Sequence, residues 1–205
     1  MNTKFQNRQS TIENRQSKIR RVVVIASSAG GIAGLIEVIS HLPADLPAAI
    51  LVVQHLRSET QTRLPELLSH ISRLRVCLAE HGMSLKPGVV YIAEPGRHLS
   101  IKNGTVVLNT DGKQNYVRPS ADILFASAAK EYGSGVIGVV LSGTGKDGMM
   151  GCKEIKAKKG KTIAQDEITS RYFGMPNAAI EADVIDHVLS LKEIAGKIIE
   201  LTSED

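Results

Sequence analysis

The chain has 205 residues, of which 42% are hydrophobic and 22% charged, with a formal net charge of +4. This length and hydrophobic content predict one globular domain and exclude a disordered chain. Residues 1–20 contain five basic residues and one acidic residue, so the rest of the chain is formally neutral. A basic face that could bind nucleic acid is therefore not expected.

The first 20 residues, MNTKFQNRQSTIENRQSKIR, form a polar and basic leader that repeats NRQS. They lack the apolar core and the small-residue cleavage site of a signal peptide. No apolar run in the sequence is long enough to span a bilayer. Two distant cysteines without CxxC spacing predict neither a disulfide nor a metal site. We expect a disordered leader over 1–20, one domain over 21–205, and a cytoplasmic protein without membrane insertion.

Strands and helices alternate over the first part of the domain. The β-branched run at 22–26 predicts a buried strand, and apolar residues at helical spacing predict a helix that ends before Pro43. A second strand is predicted at 49–53, a second helix at 59–71 and a third strand at 74–78. This alternation predicts βαβ units, and hence a parallel sheet with helices on both faces.

The pattern changes in the middle of the chain. Residues 86–109 contain short β runs separated by Pro-Gly pairs and by Asn103-Gly104, which is typical of a two-residue hairpin turn. We therefore predict that the short strands of this segment pair with one another in antiparallel fashion. The alternation then resumes, and the remaining predicted elements are a helix at 120–132, a strand at 136–141, a helix after 147, strands at 161–165 and 183–188, and a helix at 191–202.

Polar residues follow three of the predicted strands at the point where each strand ends. Ser27 and Ser28 follow the first strand, His55 follows the second, and Asp147 lies in the loop after the strand at 136–141. The carboxyl ends of parallel strands share one edge of a sheet, where sites are commonly built. A serine, a histidine and an aspartate that meet there would supply a nucleophile, a base and an acid that orients the base.

The turn ASSAGG offers two serines as the nucleophile. A strand-to-helix elbow of the GxSxG type needs small residues two positions before and two after the serine. Around Ser28 these positions hold Ala26 and Gly30, whereas the residue two before Ser27 is Ile25, which belongs to the strand. The elbow spacing therefore favours Ser28.

Other interpretations of these residues stay open on the pattern alone. The serines and glycines could form a tight turn that caps a helix, or the helix N-terminus could bind a phosphate. The second interpretation is weakened because His55 ends the second strand where a dinucleotide fold needs an acidic residue. His81 is a weaker candidate for the base, and Asp147 could be a helix N-cap. Three glycines around Asp147 favour instead amides placed close to a ligand or an oxyanion.

Five motifs, in this order, resemble the catalytic domain of CheB, the chemotaxis protein-glutamate methylesterase: VVVIASSAGG, LVVQH, RPSADILF, VVLSGTGKDGM and AQDEITSRYFGMP. The similarity covers about residues 20–200. It implies an α/β fold with a doubly wound, mainly parallel sheet flanked by helices and an antiparallel hairpin near one edge. It also implies a triad of Ser28, His55 and Asp147, with the backbone amide of Thr144 as an oxyanion donor and with no metal or cofactor.

The resemblance also implies a substrate, namely γ-methyl glutamate esters on the cytoplasmic helical bundle of methyl-accepting chemotaxis receptors. Some family members additionally deamidate receptor glutamines. Full-length members carry a receiver domain, for which the leader is too short, so a separate response regulator or constitutive activity would replace its control. Departures from the family pattern at Ala29, Arg57 and Thr144 support an alternative, a catalytically weakened module that docks in a chemosensory pathway. A nucleotide-binding domain is a third hypothesis.

Overall fold

The computed structural model describes residues 19–56 and 62–204. Nearly all of the predicted leader, and Arg57, therefore lie outside the described residues. The strands are β1 Arg21–Ser27, β2 Ala48–Gln54, β3 Arg75–Leu78, β4 Val89–Ile92, β5 His98–Lys102, β6 Thr105–Asn109, β7 Val136–Val140, β8 Lys161–Gln165 and β9 His187–Leu189. The helices are α1 Gly31–Ser40, α2 Leu64–Ser69, α3 Ala121–Tyr132, α4 Met149–Ala157, α5 Gly174–Glu181 and α6 Leu191–Ser203.

Seven strands form one parallel sheet in the order β3-β4-β2-β1-β7-β8-β9. Alternate residues of β1 enter two different cores: Val22 and Val24 pack on the face covered by α3, α4 and α5, while Val23 and Ile25 pack on the face covered by α1, α2 and α6. Both faces of the strand are thus buried, which is why its sequence is a continuous apolar run. The predicted doubly wound α/β sheet is confirmed.

The prediction for the middle of the chain is wrong for β4. This strand lies inside the segment expected to pair in antiparallel fashion, but it pairs in parallel between β2 and β3. All four of its residues, Val89–Ile92, are buried. A fully buried apolar run belongs in the interior of a parallel sheet, because helices and loops cover both of its faces. The Pro-Gly pairs at 87–88 and 95–96 mark the loops on either side of β4 and not hairpin turns.

Strands β5 and β6 form the predicted antiparallel hairpin. Asn103 and Gly104 have φ values of 52° and 71°, the left-handed conformation that a two-residue type I′ turn requires. The hairpin is a separate sheet, joined to the segment after β3 by hydrogen bonds of 2.8 Å from the Gly82 amide to the Val106 carbonyl and from the Val106 amide to the Met83 carbonyl. Since β3 is an edge strand, the hairpin lies near one edge of the main sheet, as predicted.

Two further predicted elements differ from the structure. Helix α2 is shorter than the predicted helix at 59–71, and residues 59–61 lie outside the described part of the chain. The strand predicted at 183–188 is replaced by β9, which is only three residues long. Asp183 has a φ of 54° and turns the chain after α5, so pairing with β8 begins where His187 aligns with Ile163. In the described ranges, no helix is long and apolar enough to cross a membrane.

Candidate active site

A cavity of about 460 Å³ opens at the carboxyl ends of β1, β2 and β7. The residues that line it include all four predicted site residues, Ser28, His55, Thr144 and Asp147. The loops after β2, β1 and β7 meet because these strands are neighbours in the sheet. From β1, the chain adds β2, β3 and β4 on one side of the sheet, and then returns to add β7, β8 and β9 on the other side. Open α/β sheets bind ligands at the point where the direction of winding changes in this way. The catalytic roles of these four residues stay a prediction.

The two serines of the turn after β1 have different environments. Ser27 ends the strand, is fully buried, and its Oγ donates a hydrogen bond of 2.6 Å to Gln54 Oε1. Ser28 is partly exposed on the cavity wall, and within the described residues its Oγ forms no hydrogen bond. Gln54 Nε2 donates to the carbonyl oxygen of Ser28 over 3.0 Å and so fixes the turn. Of the two hydroxyl groups, that of Ser28 is the one a ligand can reach.

Close packing around this turn explains two glycines, Gly31 in the turn itself and Gly143 in the loop after β7. A Cβ atom at Gly31 would lie 2.1 Å from Ser27 Oγ, and a Cβ at Gly143 would lie 2.8 Å from Ser28 Cβ. The Gly31 amide, at the start of α1, donates to the Ser28 carbonyl oxygen over 3.0 Å. Ser28 therefore lies beside the positive end of a helix, where negative charge is stabilised.

His55 and Asp147 are joined by a hydrogen bond of 2.8 Å between Nε2 and Oδ2. Their side chains are 11% and 4% exposed, respectively, so the pair is largely shielded from water. Because the carboxylate accepts at Nε2, this nitrogen carries the proton, and Nδ1 is the ring nitrogen left to accept a proton from a hydroxyl group. Among the residues that the structure describes, Nδ1 of His55 has no hydrogen-bond partner.

The carboxylate of Asp147 also binds the first turn of α3. Its Oδ1 accepts hydrogen bonds from Ser120 Oγ (2.7 Å) and the Asp122 amide (3.2 Å), and its Oδ2 accepts one from the Ala121 amide (2.6 Å). Burial by itself would raise the pKa of Asp147, but the hydrogen bonds from His55, Ser120 and Ala121 outweigh it, and the pKa lies below its ordinary value. The side chain is therefore a carboxylate at neutral pH.

Each of the helices α3 and α4 has its N-terminus capped by a carboxylate that lies at or just before the start of the other helix. Asp147 precedes α4 but does not cap it, since Gly148 is the N-cap residue there. Asp122, in the first turn of α3, accepts hydrogen bonds at Oδ1 from the amides of Gly148 (2.9 Å) and Gly151 (2.8 Å) at the start of α4. Burial raises the pKa of Asp122, and the nearby charge of Asp147 raises it further, against the lowering effect of the Gly151 amide. The two carboxylates thus hold the two helix N-termini side by side.

The loop that carries Thr144 is fixed from the side of α5. The Gly143 amide donates to the Tyr172 carbonyl over 2.9 Å, and the Met175 amide donates to the Gly143 carbonyl over 2.9 Å. Ser142 Oγ links this loop both to the segment before α5 and to the turn after β1, since it accepts from the Tyr172 amide and donates to the Ala29 carbonyl oxygen, each over 2.9 Å. Within residues 19–56 and 62–204, the Thr144 amide donates no hydrogen bond, and Thr144 lines the cavity.

His81, the weaker candidate for the base, lies outside the cavity lining. Its Nδ1 accepts a hydrogen bond of 3.2 Å from the Leu108 amide in β6, so the ring holds the hairpin to the segment after β3. In the part of the chain that the structure describes, no group of three or more His, Cys, Asp and Glu side chains could hold a metal ion.

Sequence reasoning missed three polar residues behind Asp147, namely Asn115, Ser120 and Asp122. The last two belong to the motif RPSADILF, whose pattern indicates the start of a helix and the family resemblance but no contact with Asp147. Serine and aspartate are common at any helix N-terminus, so their type gives no sign that they contact a carboxylate from another loop. Asn115 lies in a segment without a periodic pattern, and no local signal points to it.

Comparison with known proteins identifies the family. A family model described as CheB methylesterase matches residues 23–198. Protein-glutamate methylesterase/protein-glutamine glutaminase 2 of Anaeromyxobacter dehalogenans is 45% identical over 181 residues, which cover 88% of this chain and 53% of the relative. The protein-glutamate methylesterase/protein-glutamine glutaminase of Thermotoga maritima is 43% identical over 185 residues, covering 88% of this chain and 54% of the relative.

A solved structure is similar over the same region. The crystal structure of the Thermotoga maritima CheB methylesterase catalytic domain matches with a TM-score of 0.85 and 42% identity, and the match covers 88% of this chain and 98% of that domain. The chain spans about half the length of the curated relatives it matches. The family match covers the parallel sheet, except for the first two residues of β1, and all the loops that line the cavity. The chain belongs to the CheB methylesterase family.

Proposed function

We propose that this chain is a protein-glutamate methylesterase that hydrolyses γ-methyl glutamate esters on methyl-accepting chemotaxis receptors. The observation that carries the proposal is the 2.8 Å hydrogen bond between His55 and Asp147 in a cavity whose wall also holds Ser28. The relatives named protein-glutamate methylesterase/protein-glutamine glutaminase support ester hydrolysis, and deamidation of receptor glutamines as a second reaction at the same site. Residues 21–205 would form the catalytic unit.

The proposed reaction begins with attack of Ser28 Oγ on the ester carbonyl carbon. His55 takes the hydroxyl proton at Nδ1, because Nε2 donates to Asp147. Ser28 and His55 are not hydrogen-bonded to each other in this structure, so attack requires a rotation of the Ser28 side chain or a bound substrate that brings Oγ to Nδ1. Asp147 holds the tautomer and stabilises the imidazolium that forms.

The backbone amide of Thr144 is the proposed donor to the oxyanion of the tetrahedral intermediate. A backbone amide aimed at developing charge is one of the strongest contributions to such reactions. It does not depend on the side chain, so the departure from the family pattern at Thr144 leaves this role intact. Methanol then leaves with the proton from His55, and a water molecule activated by the same ring releases the glutamate.

Methanol release from membranes that contain methylated receptors tests the proposal. We expect Ser28→Ala to lower kcat about a thousandfold or more. Ser27→Ala is the matched control, because its hydroxyl is buried against Gln54 and away from the cavity. Near-parental activity in Ser28→Ala together with loss in Ser27→Ala would show that the nucleophile is assigned to the wrong serine. Receptor binding by the parental protein without methanol release would instead support a docking module.

A further inference from the structure

A tight turn before α3 forms part of the cavity wall. The Gln114 and Val117 amides each donate to the other residue's carbonyl oxygen, over 3.2 Å and 3.0 Å, respectively. Between them, Asn115 and Tyr116 both have left-handed backbones, with φ values of 52° and 65°. Residues other than glycine keep this conformation only where surrounding contacts hold it, and asparagine tolerates it best. The turn is therefore specifically held, and the contacts of Asn115 show how.

The side-chain amide of Asn115 donates to two carboxylates at once. Its Nδ2 lies 2.7 Å from Asp122 Oδ2 and 3.2 Å from Asp147 Oδ1. An amide nitrogen carries two protons and can serve two acceptors, whereas the amide oxygen would be repelled by both carboxylates. The orientation of the amide is thus fixed by its surroundings. Two buried acidic groups that repel each other are bridged by one neutral donor.

Asp147 uses its two carboxylate oxygens for different partners. Its Oδ2 accepts from His55 and the Ala121 amide, while its Oδ1 accepts from Ser120, the Asp122 amide and Asn115. Of these three donors, Asn115 is the one that also binds the side chain of Asp122. Without it, only the Ser120 hydroxyl and the Ala121 and Asp122 amides would hold Asp147 besides His55, and no donor would bridge the two carboxylate side chains, so their repulsion would favour a turn of Asp147. A turn of the carboxylate about its Cβ–Cγ bond would move Oδ2 off His55.

We propose that Asn115 is a positioning residue that holds Asp147 Oδ1, so that Oδ2 stays directed at His55 Nε2. The catalytic part of this inference rests on the proposed function. Groups that orient a metal-ligating side chain from behind typically contribute about ten- to a hundredfold to affinity or activity, and we take the same range for a carboxylate that orients a histidine. We therefore expect loss of the Asn115 amide to lower kcat by about that factor. KM should stay unchanged, because the affected bond lies behind the reacting atoms.

The variant Asn115→Gly removes the amide and keeps a left-handed backbone without strain. Asn103→Gly is its matched control, because Asn103 has the same φ of 52° in the other two-residue turn, is exposed, and lies in the β5–β6 hairpin away from Asp147. The first measurement is the downfield proton NMR resonance of the His55 Nε2–H group, which reports its hydrogen bond to Asp147 without any substrate. The second measurement is the methanol-release kinetics, with kcat and KM determined separately.

In Asn115→Gly we expect the His55 resonance to shift or broaden and kcat to fall, while Asn103→Gly matches the parental protein in both. A parental resonance and parental kcat in Asn115→Gly would overturn the inference, and so would equal losses in Asn103→Gly. If the parental protein releases no methanol, the proposed function fails, but the resonance still decides the role of Asn115. Should Asn115→Gly not fold, Asn115→Ala replaces it, because alanine also lacks the amide and adds no charge beside the two carboxylates, and a parental resonance there would overturn the inference.

Discussion

Replacing Asp147 by asparagine removes the charge of a side chain that binds the N-terminus of α3 and, in the proposed mechanism, orients His55. The substitution keeps the size of the side chain, but an NH₂ group takes the place of one oxygen. Every group that contacts the two oxygens is a hydrogen-bond donor, so the NH₂ group faces donors in either orientation. These donors are His55 Nε2, Ser120 Oγ, the Ala121 amide, the Asp122 amide and Asn115 Nδ2.

The least costly orientation places the NH₂ group at the Oδ2 position. His55 can then change tautomer and accept a hydrogen bond, but the Ala121 amide loses its cap, at a distance of 2.6 Å in the parental protein. A hydrogen bond to a charged group contributes about 1.5–3 kcal/mol, and loss of a helix cap costs about 0.5–2 kcal/mol. Relief of the repulsion with Asp122 offsets part of this. We expect the free energy of unfolding to fall by about 2–4 kcal/mol.

For a chain of this length, about 1 kcal/mol lowers Tm by about 2–4 °C. The expected decrease in Tm for Asp147→Asn is therefore about 4–16 °C, measured by thermal denaturation at neutral pH. Ser28→Ala is the matched control, because it removes the proposed nucleophile, whose Oγ has no hydrogen bond within the described residues. Both variants should lose esterase activity, but Asp147→Asn alone should lose stability. Equal Tm values for the two variants would refute the capping role of Asp147.

Three further predictions concern two glycines and a buried cysteine. In Gly143→Ala the new Cβ would lie 2.3 Å from Met175 Sδ and 2.8 Å from Ser28 Cβ. We therefore expect this variant to have a lower kcat and a lower Tm, and parental values of both would contradict the packing argument. Gly196→Ala, at an open position inside α6, should raise the free energy of unfolding in guanidinium by about 0.5–1 kcal/mol, and no gain would argue against it. Burial raises the pKa of the Cys152 thiol, so a thiol reagent should label this residue only after unfolding. Peptide mass spectrometry locates the label, and labelling of Cys152 in the native protein would contradict the prediction.

The sequence predicts the strands of this fold better than it predicts how they pair. Runs such as VVVIA over 22–26 and AILVV over 49–53 are unambiguous, because only a sheet covered on both faces buries every residue of a strand. The strand VVYI of β4 is likewise a continuous apolar run, but the Pro-Gly pairs on either side of it are also typical of hairpin turns. Whether β4 pairs in parallel depends on its neighbours in the sheet, of which β3 precedes it directly along the chain but β2 is distant in sequence. Local patterns do not contain that information.

The candidate site was predictable where it depends on strand ends and unpredictable where it depends on loops. Ser28, His55 and Asp147 each follow a strand, and the parallel order of β2, β1 and β7 brings the three ends together. The choice of Nε2 of His55 as the partner of Asp147 depends on the direction from which the loop before α4 approaches. The bridging amide of Asn115 depends on a turn held by non-local contacts. Neither feature has a counterpart in residue spacing.

The pH dependence of stability separates the two carboxylates that cap α3 and α4. The pKa of Asp147 is lowered on folding, so its stabilising effect is present above the unfolded value of about 3.9 and is lost as the pH falls through the folded value. The pKa of Asp122 is raised, so its contribution is fully present below the unfolded value and is lost as the pH rises through the folded value. The difference in unfolding free energy between the parental protein and Asp147→Asn should therefore be constant around neutral pH and shrink below about pH 4. A difference that stayed constant on acidification would mean that the charge of Asp147 is not what holds the N-terminus of α3.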